Sequence, residues 1–413
     1  MDPARAPMRL SEHEQPTAVH YRILLLSWAG WVFDFYDLIL YSFLLIPIGN
    51  ELGLGRVELS LVLGGSLAAT AVGGVAFGVA SDRFGRRGVL QWTILAYSAG
   101  TFLCGLATGF GPLLAFRVLT GLGVGGEWAT GQTYVCETFP AAHRGRYAGV
   151  LQTGAPVGIA LASLVGGFLA PRIGWRACFL LSAAPALLVV AIRRALPESD
   201  LWLAHRGESG ALRELLEPRH RGLFARSLVL AVFTMSAYWF TYSWLPGYLH
   251  EERGFTLARS ASWILVTQTG GLLGYLSFGF AADALGRRPS VSIYALLMAI
   301  GLVMVTLLWN AIAERPPVVL CFMFLVGFGT GLFAGFGPLF AELFPTSIRN
   351  TAMGSAFNLA RGVQFATPLA IALVAARYGL AGGISLAALF ALAAGIWIWT
   401  FPETRGRRLS ELD

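Results

Sequence analysis

Apolar residues gather along this chain in long runs separated by short polar stretches. A helix that crosses a bilayer needs about 20 predominantly apolar residues. Runs of that length occur twelve times, at about 22–46, 59–81, 89–109, 112–136, 147–170, 175–194, 224–249, 260–282, 290–312, 317–341, 351–376 and 380–401. Most connections are short. One, 195–223, is long, polar and Arg/Glu-rich, and it splits the runs into six plus six. The pattern predicts an all-α membrane protein with six-helix bundles at 22–194 and 224–402, joined by that linker and flanked by tails 1–21 and 403–413.

Composition agrees. Of 413 residues, 56% are hydrophobic and 13% charged, whereas a soluble domain carries roughly 25% charged residues. Glycine, at 50 residues, suits close helix packing within a bilayer. Mean hydropathy is +0.64, which excludes a soluble enzyme, a disordered chain and a nucleic-acid-binding domain. The net charge of +7 comes from arginine alone, since the chain has no lysine. Twenty-one of the 30 arginines fall in the two tails and the loops on their side, and seven in the opposite loops. That bias places both termini and the linker in the cytoplasm. With no apolar stretch in residues 1–21, the first span is expected to serve as its own anchor. The four cysteines share no metal-ligand spacing, and without lysine there is no phosphate-binding G-x4-G-K-[ST] loop. No metal and no cofactor are expected, and neither is catalysis.

The two halves repeat. Gly78-Val-Ala-Ser-Asp82-Arg83-Phe-Gly85-Arg86-Arg87 after span 2 matches Gly279-Phe-Ala-Ala-Asp283-Ala284-Leu-Gly286-Arg287-Arg288 after span 8. Glu137-Thr-Phe-Pro140 recurs as Glu342-Leu-Phe-Pro345, and Pro197-Glu198-Ser as Pro402-Glu403-Thr. Internal repeats with a site between them are typical of secondary transporters. The first motif resembles the signature of the major facilitator superfamily, and Arg117-x3-Gly121-x-Gly123-x-Gly125 resembles that superfamily's second motif. Gly30-Trp-Val-Phe-Asp34-Phe-Tyr-Asp37, Gly126-Glu127-Trp-Ala-Thr-Gly-Gln-Thr-Tyr134-Val-Cys-Glu137 and Trp175-Arg176-Ala-Cys-Phe resemble its sialate/lactate:proton symporter branch, with aromatic-acid:proton symporters as neighbours. The resemblance implies twelve spans in two bundles, alternating access to a central cavity, and a monomer in a bacterial inner membrane.

Five charged residues lie inside the spans away from their ends: Asp34, Asp37, Arg117, Glu127 and Arg361. Each costs roughly 2.5–3.5 kcal/mol on insertion scales, so each is a candidate for function. Asp34 and Asp37 share a face of span 1, with Tyr41 one turn on; two close carboxylates in low dielectric do not both ionise, which suits a proton carrier. Alternatively one Asp pairs permanently with Arg117, itself read as a proton relay or structural group. Glu127 is either a second proton site or a partner of Arg144 or Arg146. Arg361, with Asn358 and Gln364 at i−3 and i+3, offers a fork of donors to a carboxylate; a structural pair with an Asp of span 1 is the alternative. Tyr238, Trp239 and Tyr242 form an aromatic face, Gln152 and Gln268 add amides, and these five with Tyr41, Asn358, Arg361 and Gln364 are expected to line the cavity and contact the substrate. The loop charges Asp82, Arg83, Arg86, Arg87, Asp283, Arg287 and Arg288, with Glu137, Arg144, Glu342 and Arg349, are expected to hold the halves together on the cytoplasmic side and part on opening.

These residues point to proton-coupled uptake of a small organic anion, a monocarboxylate such as lactate or pyruvate, or a sugar acid. The alternatives are a proton-antiport exporter of a drug or metabolite, a sugar transporter, and a non-transporting membrane sensor acting through the 195–223 loop. The expected partners are that anion, the proton and the lipid bilayer, with no nucleic acid.

Overall fold

The computed structural model describes residues 9–205, 211–242, 245–255, 257–407 and 409, and the regular structure among them is entirely helical. Parts of both tails and the middle of the linker lie outside the described residues. The spans are α1 (Ala18–Leu52), α2 (Arg56–Phe84), α3 (Arg86–Cys104) and α4 (Phe110–Thr138). Then come α5 (Arg144–Ile173), α6 (175–195, two helical pieces around a turn), α7 (Pro218–Tyr242) and α8 (Leu257–Leu285). α9 (Arg287–Thr306) and α10 (Pro316–Ala341) follow. α11 starts at Arg349 and runs to Gly379, whose φ of 70° breaks the helix; α12 continues to Trp397.

Among the described residues nine helical stretches are long and apolar enough by themselves to cross a bilayer. The others, α3, α4 and the first part of α11, are diluted by polar residues that the bundles bury. α4 hides Arg117, Glu127, Gln132 and Glu137, and α11 hides Asn350, Ser355, Asn358 and Arg361. The first helix begins before the apolar run does, because the Thr17 amide donates to His20 Nδ1 at 2.9 Å and ties down that end.

The repeat seen in the motifs also organises the packing. α2 lies on α4 in the first half as α8 lies on α10 in the second, and across the halves α2 packs on α11 while its counterpart α8 packs on α5. Glycines allow these crossings. A Cβ on Gly354 would stand 2.5 Å from the Gly74 carbonyl, and one on Gly149 would stand 2.6 Å from the Tyr275 carbonyl. Two glycines have a different job: Gly85 and Gly286 take φ values of 99° and 104°. That conformation favours glycine, and it turns α2 into α3 and α8 into α9 in one residue. A Cβ there would also meet the carboxylates of Glu198 and Glu403.

Candidate functional site

At the end of the bundles that carries the termini, two equivalent charge clusters join the halves. In the first, the fully buried Arg86 donates from Nε to Glu137 Oε2 (3.0 Å), from Nη2 to Glu137 Oε1 (2.7 Å) and from Nη1 to Asp82 Oδ1 (2.9 Å). Arg349, from the other half, donates to the same Glu137 Oε1 at 2.8 Å. Asp82 accepts the backbone N–H groups of Asn350 (3.1 Å) and Thr351 (2.8 Å) and the Thr351 hydroxyl (2.7 Å). A carboxylate at the first turn of α11 meets unpaired amides and the positive end of the helix dipole.

The second cluster repeats the first. Arg287 grips Glu342 through Nε (3.1 Å) and Nη2 (2.9 Å), and Asp283 through Nη1 (2.9 Å). Arg144 reaches Glu342 across the interface at 3.0 Å. Asp283 accepts the amides of Gly145 (3.2 Å) and Arg146 (3.1 Å) at the first turn of α5. Each cluster thus has one carboxylate shared by arginines of both halves and one that caps the other half's helix.

Three expected members of this gate are not in it. Arg83 is exposed over the Phe84 ring, 5.4 Å from its centroid. Arg87 donates to the Leu196 carbonyl (3.1 Å) and Arg288 to the Phe401 carbonyl (3.1 Å), so both brace their own half. The change from Arg83 to Ala284 between repeats therefore costs no contact between halves. Conversely, the sequence reading passed over Glu198 and Glu403. Each accepts the two amides that open a helix of its own half, α3 or α9: Arg86 (2.9 Å) and Arg87 (3.2 Å) for Glu198, Arg287 (2.8 Å) and Arg288 (3.1 Å) for Glu403. The repeated Pro-Glu-Ser/Thr motif was their signal. Its hydroxyls also serve the clusters, Ser199 donating to Glu137 (2.6 Å) and Thr404 to Glu342 (2.7 Å). Burial opposes charge on Glu403, but four backbone N–H donors outweigh it and hold its carboxyl below the usual range.

Above the gate a cavity of about 230 Å³ lies between the halves. Its walls come from α1, α5, α7, α8, α10 and α11, and they are aromatic: Phe35, Tyr238, Trp239, Tyr242, Tyr275, Phe333 and Phe357. Arg361 supplies the cationic group on this wall, and Gln152 and Gln268 supply amides. Arg361 is 5% exposed, and among the described residues no hydrogen bond or ion pair to its guanidinium is formed. Its carbon lies 5.2 Å from the Phe357 ring centroid and 5.9 Å from that of Phe35.

The carboxylates of α1 divide. Asp37 accepts Arg117 Nη1 at 2.9 Å and the Thr101 hydroxyl, inside the first bundle. Asp34 is 1% exposed, its Oδ1 has no partner, and it lies within electrostatic reach of Arg361 without forming an ion pair. The two Asp residues are therefore not one equivalent pair, because Arg117 claims only Asp37. Glu127 is fully buried and neither oxygen has a partner; Arg144 is engaged by Glu342 and Arg146 by Asp283, so the alternative pairing does not form.

Three residues expected on the cavity wall do not lie there. Tyr41 is fully buried under Arg117, its ring centroid 5.0 Å from the guanidinium carbon. Asn358 donates to the Gly125 carbonyl (2.8 Å) and so locks α11 to α4. Gln364 donates to Ser236 Oγ (3.2 Å) and accepts from Thr367 (2.8 Å). Helical spacing puts them beside Arg361, but neighbouring helices take up their polar groups. Phe35, Tyr275, Phe333 and Phe357 were missed, since nothing in the sequence separates cavity aromatics from the rest of 28 phenylalanines and 12 tyrosines. Among the described residues no cluster of His, Cys, Asp or Glu is arranged to hold a metal ion.

Residues 26–354 match the family described as Major Facilitator Superfamily. The chain belongs to that superfamily. Among its curated relatives, the cis,cis-muconate transport protein of Acinetobacter baylyi is 31% identical over 82% of this chain and 83% of its own length. The sialic acid transporter NanX of Escherichia coli is 28% identical over 92% of this chain and 93% of its own length. Among solved structures, the superfamily's proton:xylose symporter XylE bound to 6-bromo-6-deoxy-D-glucose superposes with a TM-score of 0.78 at 22% identity, covering 96% of this chain and 98% of that one. This superfamily member is a multi-pass membrane protein with twelve helices in two bundles, and it is a transporter rather than an enzyme.

Proposed function

We propose that this protein takes up a planar, conjugated organic carboxylate together with a proton, by alternating access. The observation that carries the reading is Arg361: a buried guanidinium with no hydrogen bond or ion pair among the described residues, set in a wall of aromatic rings. A carboxylate fits that fork bidentately, and a conjugated plane packs against Phe35, Tyr238, Trp239 and Phe357 at offset-stacked or edge-on angles. Gln152 and Gln268 orient polar substituents. A lactate-sized acid would satisfy Arg361 but leave most of the aromatic wall uncovered, so within the expected class of organic anions the lining favours the larger unsaturated acids. The muconate-transporting relative supports this choice.

Asp34 is the proton carrier in this reading, and Asp37 with Arg117 is a fixed structural pair. A proton on Asp34 and a carboxylate on Arg361 leave no unpaired charge in the cavity, which lowers the barrier to closing around the load. In this reading the protein works as a monomer in a bacterial inner membrane with its termini in the cytoplasm, as the arginine bias suggests, and the closed gate shuts the cytoplasmic side.

The test is accumulation in proteoliposomes under an inward proton gradient, with labelled cis,cis-muconate, sialic acid and lactate compared against protein-free vesicles. Muconate should accumulate best, and Arg361→Ala and Asp34→Asn should each abolish accumulation. Retention in Arg361→Ala would overturn the assignment of the anion site. Accumulation driven only by an outward gradient would make the protein an exporter.

A further inference from the structure

Glu127 takes no part in the gate, and it does not line the central cavity. It reaches from α4 to α1, where a Cβ on Gly30 would collide with its Oε1. Gly30 and Asp34 are i and i+4, on one face of α1 and about one turn, roughly 5.4 Å, apart. Since α1 starts at the gated end, the Glu127 carboxyl stands one turn nearer the gate than Asp34. The hydroxyl of Ser27 follows on the same stripe, beside Gly131 and Glu127 Oε1. Ser27 Oγ, Tyr97 Oη and both Glu127 oxygens are buried, and none has a hydrogen-bond partner among the described residues. The charged or titratable groups within reach of Glu127 are Asp34 on α1 and Tyr97 on α3.

An ionised carboxylate buried without donors is far more costly than a neutral one, and groups left unsatisfied in a native structure call for an explanation. A carboxyl that must be able to take a proton explains these. We infer that Glu127 is a second protonation site, which receives the proton from Asp34 and carries it toward the gated end inside the first bundle, apart from the path of the substrate. In this step protonated Glu127 first gives up its own proton toward the gated end, and a proton then leaves an Asp34 carboxyl oxygen and bonds to the vacated Glu127 oxygen. Asp34 becomes the carboxylate facing Arg361, and Glu127 becomes neutral. The substrate's hold on Arg361 then competes with a newly charged Asp34, so proton transfer to Glu127 favours anion release.

This inference rests on the proton-coupled reading above, and its test does not need a substrate. Infrared difference spectra between acid and alkaline pH report the C=O stretch of buried protonated carboxyls in the purified protein. The wild type should show two such bands, one lost in Glu127→Gln and the other in Asp34→Asn, with the surviving Asp34 band titrating at a shifted pH in Glu127→Gln. If Glu127→Gln fails to fold, Glu127→Asp should displace the same band in frequency instead. A spectrum that Glu127 substitution leaves unchanged overturns the relay, whatever the substrate is. In proteoliposomes Glu127→Gln should keep muconate counterflow and lose gradient-driven accumulation; loss of both would show a merely structural role. If wild-type muconate flux is absent, the proposed substrate fails while the infrared result still decides on Glu127.

Discussion

Replacing Arg349 by Ala isolates one of the bonds that hold one half of the gate to the other. In the closed arrangement its Nη1 donates to Glu137 Oε1 at 2.8 Å, with both side chains fully buried. Removing one partner of a buried ion pair ordinarily costs about 3–5 kcal/mol, because the other charge is stranded. Here Glu137 keeps two bonds from Arg86 and one from Ser199, so the loss is nearer that of one charge-assisted hydrogen bond, about 1.5–3 kcal/mol. The other Arg349 contacts, to the Ala341 and Phe344 carbonyls and to Thr346 Oγ1, lie within its own half. They survive opening in the wild type, so their loss lowers overall stability without biasing the two states. At 1.4 kcal/mol per factor of ten, the equilibrium should move about 10- to 150-fold toward opening at this end. Spin labels at Arg83 and Ala284, equivalent and exposed positions outside the network, read that distance by electron–electron resonance. The labels require Cys321, the exposed native cysteine, to be replaced. Arg349→Ala should raise the long-distance population, and Arg144→Ala in the mirror cluster should do the same. A folded Arg349→Ala protein with an unchanged distance distribution would refute the claim that this pair holds the gate shut.

Other outcomes follow from the same geometry. Arg361→Lys keeps the charge but loses the planar fork, so half-saturation for muconate should rise about tenfold or more in the flux assay; an unchanged value would mean that charge alone suffices. Gly74→Ala drives a Cβ into the Asn358 side chain at the α2–α11 crossing, which should cost the closed state about 1–3 kcal/mol and lengthen the labelled distance. The depressed carboxyl of Glu403 contributes stability that is present above its ordinary pKa of 4.5 and is lost as pH falls through the lower folded value. Glu403→Gln should therefore lower Tm near pH 7, and the gap to wild type should close in acid.

Which parts of this protein are legible in its sequence depends on how each residue finds its partner. The spans are readable because a bilayer imposes one length and one polarity on each. The gate is readable because its residues come twice: a carboxylate in the turn after span 2 has a counterpart after span 8, and two independent copies of one charge pattern argue for one geometry. Even there, sequence alone cannot separate Arg86 from its neighbours Arg83 and Arg87. All three carry the same charge within five positions, and only the turn at Gly85 decides which one points inward. The cavity has no second copy to read. Helical spacing places Asn358 and Gln364 beside Arg361, yet Gly125 and Ser236 on other helices take up their amides. Phe35 and Phe357, two of 28 phenylalanines that periodicity does not tell apart, become a cavity wall only when two halves meet.

The same reasoning explains why the charges of α1 separate as they do. Asp34 and Asp37 have one sequence context and one face, but Arg117 and Thr101 both reach Asp37. A carboxylate held by a guanidinium and a hydroxyl in a dry bundle is part of the packing, tying α1 to α3 and α4. Asp34 is not held in this way: its Oδ1 is unpartnered and Arg361 stands beyond ion-pair distance. In the proposed cycle the mobile proton therefore belongs on the carboxylate that the protein leaves unsatisfied. This makes Asp37→Asn the informative contrast to Asp34→Asn. If Asp37 is structural, its substitution should lower Tm by removing the partner of buried Arg117, while the pH dependence of whatever flux remains stays that of the wild type. A shifted pH profile in Asp37→Asn, with Tm unchanged, would reverse the two assignments.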